Sequence, residues 1–150
     1  MLKYSFFILF VPFFMAASLH AQTGEWLIGG GGFKSDKATT IVVVDAGNGY
    51  VTGYYNEKAF FGPFATGFSF QNSKEVFVAK IDPDGNWRWV RSGGSADFDR
   101  GADVDCNTAC NVYVTGYFSQ IFHFEDFYKV TITSRFGSIE EKSGFITVIR

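Results

Sequence analysis

Four aspartates lie close together in the segment ADFDRGADVD and could ligate a metal ion. Carboxylate oxygens are the ligands that Ca²⁺ prefers, so this segment is a weak calcium candidate. The alternative is a solvated loop in which Arg100 neutralises part of the negative charge, and the sequence favours this reading. The candidate ligands are Asp97, Asp99, Asp103 and Asp105.

The sequence carries no recognisable catalytic set. After the N-terminal segment discussed below, His123 is the only histidine, and no Ser-His-Asp motif accompanies it. The alternation of IFHFED predicts a strand-surface histidine opposite Phe122 and Phe124. The segment DPDGN at 82–86 is like the start of a calcium loop, but turn formation by Asp-Gly accounts for it. We therefore predict a protein that is not an enzyme and has no cofactor.

Two cysteines, Cys106 and Cys110, flank a short turn in DCNTACN. A turn between two strands would bring them close enough for a disulfide. Two cysteines without nearby histidines make an incomplete zinc set. We predict a disulfide, because the start of the chain indicates an oxidising compartment.

The first 21 residues are typical of a secretory signal peptide. Lys3 precedes an uncharged run over 6–19, and small residues follow it up to Ala21. The run is too short to span a membrane comfortably, although an N-terminal anchor is the alternative. The formal net charge is −2 and removing Lys3 makes it more negative, so nothing predicts nucleic-acid binding. We expect a secreted or cell-surface protein with residues 22–150 as its folded part and no membrane span after signal removal.

The mature part repeats itself at an offset of 63 positions. The units run over about 26–88 and 89–150, the second incomplete. Two glycines and an aspartate recur (Gly30, Gly31 and Asp36; Gly93, Gly94 and Asp99). The signature pairs Trp26 with Trp89, and Tyr50, Val51, Thr52, Gly53 and Tyr54 with Tyr113, Val114, Thr115, Gly116 and Tyr117.

Each unit is predicted to contain short strands rather than helices. In the first unit, runs of β-branched and aromatic residues lie at 39–45, 49–55, 75–82 and 87–92, separated by turn residues. Alternation places Tyr50, Thr52 and Tyr54 on one face of the second strand. Gly53 and Gly116, in mid-strand, indicate a bulge or a close backbone approach. VFVAK at 76–80 is echoed by ITVIR at 146–150, and EWLIGG at 25–30 by WRWVRS.

Four antiparallel strands in a meander are the unit of a β-propeller blade. A sandwich is the alternative, but it has no need for a long-period repeat. We therefore predict an all-β fold of about two β-propeller blades. Two blades are too few for a ring, so the chain is either part of a larger propeller, which we favour, or a protomer that completes a ring with other copies.

The series of W, GG, D-R, NVYVTGYF and VFVAKIDPDGNW, with a Phe-rich connector, resembles the bacterial β-propeller repeat family called SBBP. The resemblance covers most of residues 24–150, and Asn111–Phe118 and Val76–Trp87 carry it. It implies a secreted or surface protein of tandem blades and transfers no catalytic residue.

Three functions follow as hypotheses. The first is binding or scaffolding through loops that contact an unknown protein or glycan. The second is a lectin-like assembly of several short chains. The third is a non-catalytic part of a larger secreted enzyme. Trp26, Trp87 and Trp89 could stack on sugars or pack between units. Further blades, in cis or by self-association, are the other expected partners.

Overall fold

The computed structural model describes residues 25–109, 111–119, 121–124, 132–133 and 143–149. The predicted signal peptide at 1–21 and Cys110 lie outside the described residues. Within them the chain is all-β, as predicted, and the only helical element is a single 3₁₀ turn at Phe70–Asn72. The strands are β1 (Gly31–Gly32), β2 (Lys37–Val43), β3 (Gly49–Asn56), β4 (Ala59–Phe61), β5 (Phe64–Ala65), β6 (Lys74–Ile81), β7 (Trp87–Gly94), β8 (Arg100–Cys106), β9 (Val112–Phe118), β10 (Ile121–Phe124), β11 (Ile132–Thr133) and β12 (Ser143–Ile149).

The first unit forms the predicted antiparallel meander. Strands β2, β3, β6 and β7 pair in chain order, and β10 and β11 extend the same sheet beyond β7. The turns form where Asn, Asp and Gly were expected to allow them. Gly47 and Gly85 both adopt positive φ in these turns. The four predicted strands of this unit are confirmed.

The second unit repeats the first in register as well as in sequence. Strands β8, β9 and β12 form a three-stranded antiparallel sheet in the order β12-β9-β8. Ala38 pairs with Gly53 and is followed by a bulge, and Gly101 pairs with Gly116 and is followed by the same bulge. The prediction that Gly53 and Gly116 mark a bulge is therefore confirmed.

The predicted echo of 76–80 by 146–150 is wrong by two residues. Gly53 pairs with Phe77, and the equivalent Gly116 pairs with Phe145. Strand β12 therefore matches 77–81 with 145–149, at an offset of 68 positions. Because side chains alternate with a period of two, a shift of two residues leaves the apolar pattern unchanged.

Each unit also pairs with the segment that leads into it. In the first unit Gly31 pairs with Phe60, so β1 and β4 form a ladder. In the second unit Gly94 pairs with His123, which joins β7 to β10 at the equivalent positions. The short strand after each Tyr-Val-Thr-Gly-Tyr segment therefore binds the backbone that leads into its own unit.

The predicted strand at 25–30 is not formed. In this region only Gly31–Gly32 is a strand, although the equivalent segment β7 is a full strand. The difference has a simple cause. Strand β7 pairs along its length with β6, whereas no described strand precedes 25–30 to pair with it.

The sheets have two faces, which we name from the first unit. The front face carries Val51 and Phe77, and the back face carries Tyr50 and Val78. The back face of the first unit packs on the front face of the second in one buried cluster: Tyr50, Val76, Val78, Val104, Val112, Val114, Phe118, Phe122, Phe124 and Ile149. A second cluster covers much of the first front face: Val51, Tyr55, Ala59, Phe61, Phe77, Ala79, Ile81 and Val90. The predicted alternation along β3 is confirmed.

The bulge opposite Gly53 gives a test of this register. A Cβ at Gly53 would lie 1.9 Å from the Lys37 carbonyl oxygen. We expect Gly53→Ala to lower the free energy of unfolding by about 2–3 kcal/mol, measured by urea denaturation followed by tryptophan fluorescence. Gly29→Ala is the matched control, because a Cβ there would meet no atom within 4 Å. Equal stability of the two variants would contradict the bulge.

Candidate functional site

The repeated aspartates, Asp36 and Asp99, hold the same backbone groups in both units. The Asp36 carboxylate accepts hydrogen bonds from the N–H of Gly32 at 2.6 Å and of Asn56 at 3.1 Å. Asp99 accepts from the equivalent N–H groups of Ser95 and Ser119, the latter at 3.1 Å. Each carboxylate therefore ties the entry of its unit to the end of its second strand.

Asp99 is the more buried of the pair. It is 1% exposed and also accepts a hydrogen bond from the Ser95 hydroxyl at 2.8 Å. Burial raises the pKa of Asp99 to about 7, although its hydrogen bonds oppose the shift. The negative charge of Glu75 adds to the rise.

The other predicted calcium ligands are used locally. Asp97, Asp103 and Asp105 each accept a hydrogen bond from the N–H of the next residue. Among the described residues, no group of three or more His, Cys, Asp or Glu side chains is arranged to hold a metal ion. The structure thus does not bring the four aspartates of the weak calcium candidate together as a ligand set.

The DPDGN segment is a turn, as the sequence favoured. The Asp82 carboxylate accepts the N–H groups of Asp84 at 3.1 Å and Asn86 at 2.8 Å. The bond from Asn86 is the largest cause of the lowered pKa of Asp82. In the second unit, the Asn107 side chain likewise accepts a hydrogen bond from the N–H of Asn111 at 3.0 Å. The predicted disulfide between Cys106 and Cys110 stays a prediction, since Cys110 is outside the described residues.

The three tryptophans mostly serve packing. The Trp87 indole contacts Phe61 edge to face and donates to the Gly29 carbonyl at 3.0 Å. Trp89 lies beside Tyr50, next to the cluster between the units. Trp26 donates to the Pro83 carbonyl at 3.0 Å and covers the turn at Gly85.

A cleft of about 640 Å³ opens where the two units meet. We name it the junction cleft. The connector of the first unit, the end of β7 and strand β10 form its walls. Its lining combines aromatic and hydrogen-bonding side chains: Phe68, Phe70, Gln71, Glu75, Ser92, Ser95 and His123, with Ser69, Gly93, Gly94 and Ala96.

The aromatic wall of the junction cleft faces solvent. Phe68 is 75% exposed and Phe70 is 51% exposed. The Lys58 ammonium lies 5.2 Å from the centre of the Phe68 ring. Gln71 and Asn72 adopt positive φ, so the connector bends sharply here and projects both rings outward.

Glu75 fixes the base of the cleft. One carboxylate oxygen accepts from the Phe70 N–H at 2.7 Å, and the other accepts from the Tyr55 hydroxyl at 2.8 Å. Tyr55 is fully buried, and burial together with the charge of Glu75 raises its pKa. The buried Tyr55 hydroxyl therefore holds the Glu75 carboxylate in place, in addition to the bond from the Phe70 backbone.

His123 lies on the opposite wall. It is exposed, whereas Phe122 and Phe124 on either side are buried, as the alternation predicted. The sequence predicted its strand position but not its surroundings, because the pairing with Gly94 and the cleft that it shares with Phe70 form only when the chain folds. Glu75 and Ser92 were missed for the same reason.

Among the described residues there is no helix with the length and hydrophobicity that crossing a membrane requires. No protein-family model matches the chain, and no curated protein or solved structure is similar enough to count as a match. The resemblance to SBBP repeats accordingly stays a prediction. What the structure defines is an all-β protein of antiparallel sheets whose two units share one register.

The buried Asp99 predicts a pH dependence. Its unfolded pKa is near 3.8 and its folded pKa is about 7, so the folded state binds the extra proton between these values. Stability is full below the lower value and falls as pH rises towards about 7, by up to about 1.4 kcal/mol per pH unit.

We expect Asp99→Asn to remove this fall, and urea denaturation at several pH values between 4 and 7.5 measures it. Asp36→Asn is the matched control, because Asp36 has the same two backbone partners but is only half-buried; the control should keep the wild-type profile. Parallel profiles of the wild type and Asp99→Asn would contradict the prediction.

Proposed function

We propose that this chain is a secreted or cell-surface β-propeller repeat protein that binds or scaffolds through its junction cleft. The support for the propeller is the recurrence of one unit with the same register, the same bulge and the same link to the preceding segment. A sheet that is apolar on both faces needs a neighbour on each side, and radial stacking supplies it. On this proposal the protein is not an enzyme, and Cys106 and Cys110 form a disulfide.

The observation that carries the binding role is the composition of the junction cleft. The exposed rings of Phe68 and Phe70 line it together with His123 and with Ser and Gln side chains. A binding site combines apolar surface with a few convergent polar groups. An exposed apolar patch rimmed by polar groups marks an interaction site, and the Phe68 and Phe70 rings beside the polar groups of the cleft support one here.

The cleft favours a carbohydrate over the alternative of an unknown protein partner. A sugar ring presents an apolar face of C–H groups, which fits an aromatic ring, and a rim of hydroxyls, which fits the polar groups. The size of a sugar ring suits the cleft volume of about 640 Å³. A protein partner would be expected to use a broader and flatter surface. The lectin-like hypothesis therefore has a specific site in the junction cleft.

A glycan array that spans neutral, amino and acidic sugars tests the proposal, with calorimetry on any sugar that binds. We expect Phe70→Ala and His123→Ala each to weaken binding by about tenfold or more. Phe33→Ala is the matched control, because Phe33 is 93% exposed and does not line the cleft. The carbohydrate proposal fails if no sugar binds, or if the cleft variants bind as well as the control.

A further inference from the structure

Inside the chain, the back face of the first unit and the front face of the second cover each other. The equivalent faces at the two ends, the back face of the second unit and the front face of the first, carry exposed apolar side chains. At the back face, Val78 of the first unit is fully buried, whereas its equivalent Ile146 is 71% exposed. At the front face, Val104 of the second unit is 4% exposed, whereas its equivalent Ile41 is 54% exposed. The register of the two sheets makes these residues equivalent.

The second cluster leaves part of the first unit's front face uncovered, as an apolar cleft of about 540 Å³. The exposed Ile41 and Trp26 line this cleft together with Trp87 and the buried side chains of Val51, Phe77 and Ile81. Inside the chain, the equivalents of Ile41 and Val51 are Val104 and Val114, which pack on the back face of the first unit. The structure therefore contains a direct example of what covers this kind of surface.

The exposed back face of the second unit has the matching character. Tyr113 stands where the first unit has Tyr50, and Val148 stands where it has Lys80. Tyr113, Ile146 and Val148 are all among the exposed large apolar side chains. Tyr113 and Ile146 thus stand where Tyr50 and Val78 of the first unit contact the second.

We propose that a second copy of this chain docks head to tail, with the back face of its second unit on the front face of the first unit. The contact repeats the interface between the two units of one chain. It joins two different surfaces, so it is heterologous and leaves one free face at each end of a dimer. The proposal rests on the repeat and does not depend on the ligand of the junction cleft.

One difference weakens this contact. Asp103 and Asp105 of the second unit replace Thr40 and Val42 of the first. Inside the chain, Val42 packs against the cluster that contains Val104. At the interface between copies, Asp105 takes the place of Val42 and Ile41 takes the place of Val104, so a carboxylate would approach an apolar side chain. Moving a carboxylate next to an apolar side chain costs free energy. The association between copies is therefore weaker than the contact within one chain.

Sedimentation equilibrium over a concentration series tests the docking. We expect the wild type to associate reversibly, and Ile41→Lys and Ile146→Lys each to be monomeric. An equimolar mixture of these two variants should form a one-to-one dimer, because each retains the face that the other has lost. Phe33→Lys is the matched control and should associate like the wild type. Circular dichroism of each variant checks that the fold is kept.

A gain-of-function variant makes the test decisive. Asp103→Thr combined with Asp105→Val copies the first unit's residues onto the second, and we expect association at least about tenfold tighter, equivalent to about 1.4 kcal/mol. The proposal is overturned if the wild type and this variant are both monomeric throughout the series. It is also overturned if both lysine variants associate like the wild type, or if their mixture forms no dimer. Glycan binding plays no part in these measurements. The docking proposal can therefore fail while the proposed function stands, and the reverse.

Discussion

The packing of one sheet's back face on the next sheet's front face is the interaction on which the rest of the structure depends. Adjacent residues in β6 alternate between the two faces, and both sets are apolar, as with Phe77 and Val78. Full burial of such a side chain contributes about 1.5–3 kcal/mol. A single sheet of this kind cannot bury both faces, so the unit is stable only beside a neighbour. The junction cleft exists because two units pack in this way and leave the connector of the first unit at the rim.

Two local features hold the backbone inside each unit. The same bulge lies opposite Gly53 and Gly116, and at Gly53 it brings the neighbouring backbone too close for a side chain. The aspartates at 36 and 99 then tie the start of each unit to the end of its second strand. The bulge and the aspartate both recur at the offset of 63 positions. This explains why aspartate and glycine are repeated in the sequence together with the apolar residues.

The elements that the sequence predicted are those set by local pattern. Alternation located the four strands of the first unit, and Asp-Gly and Asn-Gly located its turns. The register of β12 was misplaced by two residues, because a pattern of period two fits equally well after such a shift. The pairing of β4 with β1 and of β10 with β7 could not be read from the sequence, since it joins short segments far apart in the chain. The junction cleft was missed for the same reason: Glu75 and His123 have no sequence signal until packing brings them together.

The positions where the repeat breaks are as informative as those where it holds. Where the first unit has Phe60, the second has His123, and this change places an imidazole in the wall of the junction cleft. The connector with Phe68 and Phe70 has no close counterpart in sequence in the second unit. At positions that pack against a neighbouring sheet, the same geometry restricts the residue type in every unit. At positions that line the cleft, packing does not restrict the residue type. A side chain that occurs in one unit and not at the equivalent position of the other is therefore better explained by ligand recognition than by folding. For this reason the junction cleft is better suited to a ligand than the repeated signature is.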